Sequence, residues 1–221
     1  NALVGSGKAI LISTSVYTSG YSISVGLAQG AANNFLVTAT DAAANVSPAA
    51  DVPTITEDSD PPTGYTITAD NALINASEST NTGFTFAGAE VRATYDYSIS
   101  SSQGGTPVTG SGTVSSAAQS VTGINVSGLA DGTLTYSVTL TDAAGNTGSA
   151  ATATTSLDKA APSTTSFTRK TPASSPTNAD SLVFEAIFGE AVTAVDDTDF
   201  EVDGVTTATI VVTPRTPTTY D

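Results

Sequence analysis

The chain has 221 residues, enough for one or two ordinary domains, and sets 6 basic against 21 acidic residues for a net charge of -15. That balance argues against nucleic acid and against an anionic membrane surface, because phosphate contacts need clustered Lys and Arg. With no Cys, Met, Trp or His there is no disulfide staple, no thiol chemistry and no imidazole for acid–base catalysis. An excess of carboxylates keeps a crowded surface soluble and attracts divalent cations. No apolar run reaches membrane-spanning length, so neither direct membrane insertion nor a signal peptide within these residues is expected. A start at Asn1 and a stop at Tyr220-Asp221 read as a fragment of something longer.

In chain order, the pattern is strand throughout. Residues 1–60 read as the rear part of a first module and its acidic linker, with strands near Asn34 to Thr40 and Asp51 to Thr56. Residues 61–158 read as a complete module. Its expected strands are Tyr65–Ala69, Gly83–Ala87, Thr94–Ser101, Pro107–Val114, Ser120–Val126, Leu134–Thr141 and Ser149–Ser156. Period-two alternation of β-branched and aromatic residues carries these assignments, and Asp70-Asn71, Gly104-Gly105, Asp131-Gly132 and Gly145-Asn146 supply turns. The expected core is Tyr65, Ile67, Phe84, Phe86, Ile99, Leu134, Tyr136 and Val138. Residues 159–221 read as a third, truncated module with strands at Ser181–Phe188, Asp199–Val205 and Ala208–Val212. Seven short strands in about a hundred residues is the size of an immunoglobulin-like sandwich. The expected fold is therefore all-β, with tandem immunoglobulin-like β-sandwich modules arranged end to end.

The tandem reading rests on an internal match. Asp142-Ala143-Ala144-Gly145-Asn146 has a near copy at Asp41-Ala42-Ala43-Ala44-Asn45, preceded by SVTLTD and LVTATD respectively. Each is followed by a Thr/Ala-rich run and then an acidic, proline-bearing linker: Glu57-Asp58-Ser59-Asp60-Pro61-Pro62 and Asp158-Lys159-Ala160-Ala161-Pro162. A self-match at this period marks copies of one domain.

The third segment, TSFTRKTPASSPTNADSLVFEAIFGEAVTAVDDTDFEVDG, resembles the bacterial immunoglobulin-like repeats of very large surface proteins and repetitive adhesins. The TDAAGN cassette with its following Asp and Ala-Pro linker is similar to the same class. The resemblance covers most of the chain and is weakest over residues 1–30. It implies stalks that hold an adhesive tip away from the cell, often stiffened by calcium at the joints. It implies a secreted or bacterial cell-surface, extracellular location, neighbouring repeats of the same chain as partners, and an unknown surface or glycan ligand engaged outside this segment.

Catalysis finds little support in the residues, and the chain is not expected to be an enzyme. The dense carboxylate run Asp196-Asp197-Thr198-Asp199 is expected to be a solvated turn, and no GxSxG, Walker or zinc spacing is present. Calcium is the expected cofactor, since it takes six to eight oxygens from carboxylates, amides and carbonyls. Glu57, Asp58 and Asp60 place three carboxylates in four residues. In an immunoglobulin-like sandwich the entering chain and the B–C and F–G loops share one end. Glu90, in the expected B–C loop, and Asp142, in the expected F–G turn, should therefore face that linker, with Asn146 as a further oxygen. The same logic pairs Asp158 with Glu190, while Asp41 should face a linker that precedes the segment. The bland alternative for TDAAGN is a hairpin turn capped by its own aspartate, with Gly145 at positive φ.

These features support a calcium-stiffened spacer of an adhesin or extracellular fibre. Two alternatives stand beside it: a ligand- or glycan-binding module, and a non-catalytic accessory region of a secreted hydrolase. Clustered exposed aromatics would mark the binding module, but Tyr95 and Tyr97 share one strand face that reads as core.

Overall fold

A computed structural model of the chain describes residues 24–204 and 209–221. The chain is all-β. Contacts divide it into two units, Asn1–Leu157 and Asp158–Asp221. Within the first unit, the described residues begin with a long hairpin. Its outgoing arm holds β1 (Ala32–Asn33) and β2 (Leu36–Val37), and its return arm holds β3 (Ala50–Asp51) and β4 (Ile55–Thr56). Both arms pair antiparallel, β1 with β4 and β2 with β3.

The complete module follows. Its strands are β5 (Thr66–Ala69), β6 (Leu73–Ile74), β7 (Thr82–Ala87), β8 (Thr94–Ser101), β9 (Val108–Thr113), β10 (Ser120–Ile124), β11 (Gly132–Thr141) and β12 (Ala151–Leu157). They form a three-stranded sheet in the order β10-β7-β5 and a five-stranded sheet in the order β6-β12-β11-β8-β9. The first strand thus splits, β5 joining one sheet and β6 pairing parallel with β12 in the other. The two sheets form a β-sandwich. The pair Leu73–Ile74 is too short to show in a periodicity reading, and sequence reasoning missed it.

Alternation on β11 builds the core: Leu134, Tyr136, Val138 and Leu140 point inward and are fully buried. They meet Ile67, Phe84 and Phe86 from the opposite sheet in one cluster. Phe84 makes edge contacts with Phe86, Tyr97 and Tyr136 at ring separations of 5.3, 5.7 and 6.3 Å. All eight expected core residues are buried, and Tyr95 and Tyr97 both pack on that cluster.

Among the described residues, the second unit holds one sheet, in the order β13 (Thr164–Thr171), β14 (Val183–Phe188), β16 (Thr219–Tyr220) and β15 (Pro214–Thr216). Its register repeats that of the sandwich at a spacing of 100. Phe167 faces Ala186 and Arg169 faces Phe184, as Ile67 faces Phe86 and Ala69 faces Phe84. On its other face, Lys170 bridges Glu185 at 2.7 Å and Asp221 at 3.1 Å, and Arg215 also pairs with Asp221.

Two strand expectations fail here. No strand covers the described part of Asp199–Val205: Asp196 caps a short 3-10 turn at Asp197–Asp199, taking Thr198 N on its own carboxylate while its backbone N–H bonds Asp199. Side-chain bonding of this kind diverts backbone groups from a ladder. Residues 209–212 join no ladder either, and Val205 and Ala208 lie outside the described residues, as do residues 1–23 of the expected first module.

Candidate functional site

The two TDAA cassettes form the same turn, bond for bond. In the first, Asp41 N–H donates to Asn45 O at 3.0 Å, Ala44 N–H to Asp41 O at 3.1 Å, and Ser47 N–H to Ala39 O at 2.8 Å. In the second, Asp142, Gly145 and Gly148 donate to Asn146, Asp142 and Leu140 at 3.0, 3.3 and 2.8 Å. The aspartate organises each loop. Asp41 Oδ1 accepts the N–H groups of Ala43 and Asn45, and its Oδ2 accepts Asn45 Nδ2, all at 2.9 Å. Asp142 accepts Ala144, Asn146 and Asn146 Nδ2 at 2.8, 2.9 and 2.8 Å. The fourth residue is left-handed in both, Gly145 at φ 97° and Ala44 at φ 67°. An alanine held in that region, where a Cβ is unfavourable, shows that the Asp–Asn bonds set the geometry and glycine only eases it. In both turns the Asn amide, followed by backbone N–H groups, holds the aspartate below its usual carboxylate range.

The copies differ in what lies beyond them. Asn146 Nδ2 also reaches out of its loop and donates to Asp58 O at 3.0 Å. The F–G turn therefore grips the linker that precedes its own module, 88 residues earlier in sequence. Gly148, two residues on, is buried against the linker: a Cβ there would stand 2.2 Å from Pro62 O. Tyr65 closes the joint from below. Its hydroxyl donates to Ser149 O at 2.5 Å and accepts from Leu140 N at 3.1 Å, fastening the start of β5 to β11 and the approach to β12. On the linker's other side, Ser59 N–H and hydroxyl both donate to Gln29 Oε1, at 3.1 and 2.6 Å, and Gly30 N–H donates to Glu57 O at 2.9 Å. Residues 57–60 are thus held from both sides.

The sequence-derived acids are placed as follows. Ala87 pairs with Thr66, and Thr94 with Thr141, so the loop carrying Glu90 and the turn carrying Asp142 lie at the end where Glu57, Asp58 and Asp60 enter. Glu57 is half-buried, while Asp58, Asp60 and Glu90 are exposed. Asp58 Oδ1 accepts Asp60 N–H at 3.1 Å. Asp142 is 8 % exposed, and three of its roughly four acceptor sites serve its own turn. Asp158 and Glu190 belong to the second unit, where Asp158 Oδ1 accepts Ala160 N–H at 3.1 Å, the same small turn as Asp58 makes. Among the described residues, no three acidic side chains gather into a group that could hold a metal ion.

Sequence reasoning missed three parts of this joint: the Tyr65 hydroxyl, the Gly148–Pro62 contact and the Gln29–Ser59 bond. Tyr65 was readable as an apolar core residue, but its polar tip was not. Nothing marks Gln29 or Gly148 in a single sequence, since each acts through a partner far along the chain.

No family model matches the chain, and no curated protein matches it. Among solved structures it is similar to a tetra-tandem repeat in the extending region of a large adhesion protein, with a TM-score of 0.34 and 22% identity. The match covers 72% of this chain and 49% of that one, so the chain spans about half the length of that structure. No helix among the described residues is long and apolar enough to cross a membrane.

Proposed function

We propose that this chain is a spacer: immunoglobulin-like repeats of a bacterial surface adhesin or extracellular fibre, whose work is to hold a fixed geometry between neighbouring modules. The observation that supports it is the Asn146–Asp58 bond. A turn that recurs at the repeat period is the element that grips the preceding linker. The middle module thus carries the means to fix the joint before it, and a stalk built by repetition requires the same of each repeat.

Calcium is the finer part of this reading. The oxygens at the joint are of the kind a hard cation takes. Because Asp142 is occupied by its own turn, an ion would draw on Asp58, Asp60 and Glu90. The three linker carboxylates repel one another without it.

Hydrogen exchange tests both parts separately. A spacer joint should protect the Ser59 and Asp60 amides nearly as well as the flanking strands, and Asn146→Ala should expose them. Linker amides that exchange like a free loop would sink the spacer reading. Added calcium should slow exchange at residues 57–60 further, and a chelator should reverse this. Identical protection with and without calcium would remove the ion and leave the spacer standing.

A further inference from the structure

The triad Asn-X-Ser, to which N-linked sugar is attached, occurs three times: Asn45-Val46-Ser47, Asn75-Ala76-Ser77 and Asn125-Val126-Ser127. All three asparagines are exposed, so neither sequence nor exposure separates them. Their hydrogen bonds do. Asn75 Oδ1 accepts the Ser77 N–H at 2.9 Å, the Ser77 hydroxyl at 2.7 Å and the Glu78 N–H at 3.0 Å. Asn125 Oδ1 accepts the Ser127 N–H at 3.0 Å and the Ser127 hydroxyl at 2.7 Å. With Oδ1 turned into the loop, the amide nitrogen is left over. Among the described residues, neither Asn75 Nδ2 nor Asn125 Nδ2 has a hydrogen-bond partner.

Asn45 is the opposite case. Its Nδ2 donates to Asp41 Oδ2 at 2.9 Å, and the Ser47 hydroxyl turns away to Pro48 O at 3.0 Å. The nitrogen is occupied, and the hydroxyl does not stand on the amide oxygen. The two open triads also share one end of the middle sandwich. Val126 N–H donates to Ser79 O at 2.8 Å, and Ile74, just before Asn75, pairs with Leu157, the last residue of β12.

We propose that Asn75 and Asn125 are acceptor sites for an N-linked sugar, delivered by a transferase from a sugar 1-diphosphate donor, and that Asn45 is not. This goes beyond the spacer reading and does not depend on it. In the transfer, Asn Nδ2 attacks C1 of the sugar and the N–C1 bond forms. The bond from C1 to the diphosphate oxygen breaks, and the diphosphate leaves with its electron pair. One Nδ2 proton passes to a base on the transferase. As that proton departs, negative charge moves onto Oδ1. At Asn75 and Asn125 the Ser hydroxyl and N–H groups already point at Oδ1 and stabilise that charge where it develops. At Asn45 the nitrogen must first give up its charge-assisted bond to Asp41. Both open triads lie in turns and not in ladders, so a transferase reaches them on the folded chain. The sugars then stand at the end where the chain leaves the middle sandwich.

Peptide mass mapping tests this on the parent protein isolated from the cells that make it. Sugar on Asn75 and Asn125 with Asn45 bare is the expected result. Both sites bare overturns the proposal, as does Asn45 occupied as fully as they are. Two arms on the folded 221-residue chain separate the donors. One supplies a soluble transferase of Asn-X-Ser/Thr specificity with a nucleotide-diphosphate hexose. The other supplies a membrane oligosaccharyltransferase with a lipid-diphosphate oligosaccharide. The arm that reproduces the sites found in the parent names the source, and Asn45 should react at least about tenfold more slowly there, the factor set by one bond to a charged group. Refusal in both arms overturns the donor class. Ser77→Ala and Ser127→Ala should each clear sugar from the neighbouring asparagine and leave the other site occupied. Ser77→Thr and Ser127→Thr, which keep the hydroxyl, should keep the sugar. An unchanged melting transition checks that each variant is folded; Ser77→Gly and Ser127→Gly replace any alanine variant that fails this check. Sugar that persists at Asn75 or Asn125 after its serine hydroxyl is removed overturns the assignment.

Discussion

The hairpin of residues 32–56 and the β11–β12 hairpin share a cassette, a register and a turn, yet they live in different surroundings. In the second, Tyr136 and Val138 are fully buried and the turn is bonded to a linker. In the first, Val37 and Val52 stand largely exposed, and no contact beyond the hairpin is seen for Asn45 among the described residues. The turn is identical because its bonds are local: an aspartate, an asparagine and the backbone between them suffice. Burial is not local, since it requires a facing sheet. The same sequence therefore guarantees the turn and leaves the packing to context.

One backbone difference separates the two arms. Between the matched pairs Asn33–Ile55 and Leu36–Asp51, the return arm spans one residue more than between Leu134–Thr155 and Ser137–Thr152. Pro53 lies in that stretch. Proline cannot donate to the ladder, and one extra residue in one strand makes a bulge. This accounts for the change in repeat spacing. Asp41 and Asp142 are 101 positions apart, but Asp58 and Asp158, which make the same small turn, are 100 apart.

The largest contrast should come from the inner face. Tyr136→Ala empties a fully buried site and should cost about 3–5 kcal/mol in the unfolding of the sandwich. Phe35→Ala, at the matching and only half-buried position, should cost well under half of that. Urea denaturation of both variants measures the difference. Equal losses would mean that the first hairpin is already sealed.

A smaller contrast sits just after the turn. Gly148→Ala forces a Cβ against Pro62 O and should destabilise by about 1–3 kcal/mol, the usual range for overpacking. It should also raise proteolysis within residues 57–62, because the linker must give way. Ser47 occupies the matching position, is exposed and already carries a side chain, so Ser47→Ala should cost only the bond its hydroxyl accepts from Ala39 N–H, about 0.5–1.5 kcal/mol, and leave proteolysis within residues 57–62 unchanged. A Gly148→Ala chain as stable and as protease-resistant as the parent would show that the linker is not seated there.

How far these features could be read from sequence follows the same division. Seven strands of the middle module, the eight core residues and both turns were readable because period-two patterning and Asp/Asn/Gly chemistry act over a few residues, whereas Leu73–Ile74, Thr164–Thr171, Pro214–Thr216 and Thr219–Tyr220 were not expected. The end at which Glu90, Asp142 and the linker meet was readable from topology alone. The side chains that fasten that end were not. Asn146 was expected as an oxygen ligand, but its amide nitrogen makes the contact, and the partner on the linker is the Asp58 carbonyl and not its carboxylate. Asp199–Val205 failed because one aspartate cap outcompeted a strand-like pattern.

The finest contrast is in acid. Asp41 and Asp142 both titrate below the ordinary carboxylate value of about 3.9, first through the bond from their asparagine and then through backbone N–H groups. For a depressed folded-state value, the stabilisation is complete above the unfolded value and is lost as pH falls through the folded one. Both turns should therefore be insensitive from neutral pH down to about 4 and loosen only below it. The consequences should differ. Protonated Asp142 releases Asn146, and Asn146 holds Asp58, so exchange at the linker amides should rise with the titration of Asp142. Protonation of Asp41 should loosen its own turn alone. Carboxyl NMR titration, read beside linker exchange, compares them directly. Asp142→Asn should abolish the acid-linked opening of residues 57–60, while Asp41→Asn should leave it in place. If linker exchange in the parent tracks neither aspartate, the turn and the joint are not coupled through Asn146.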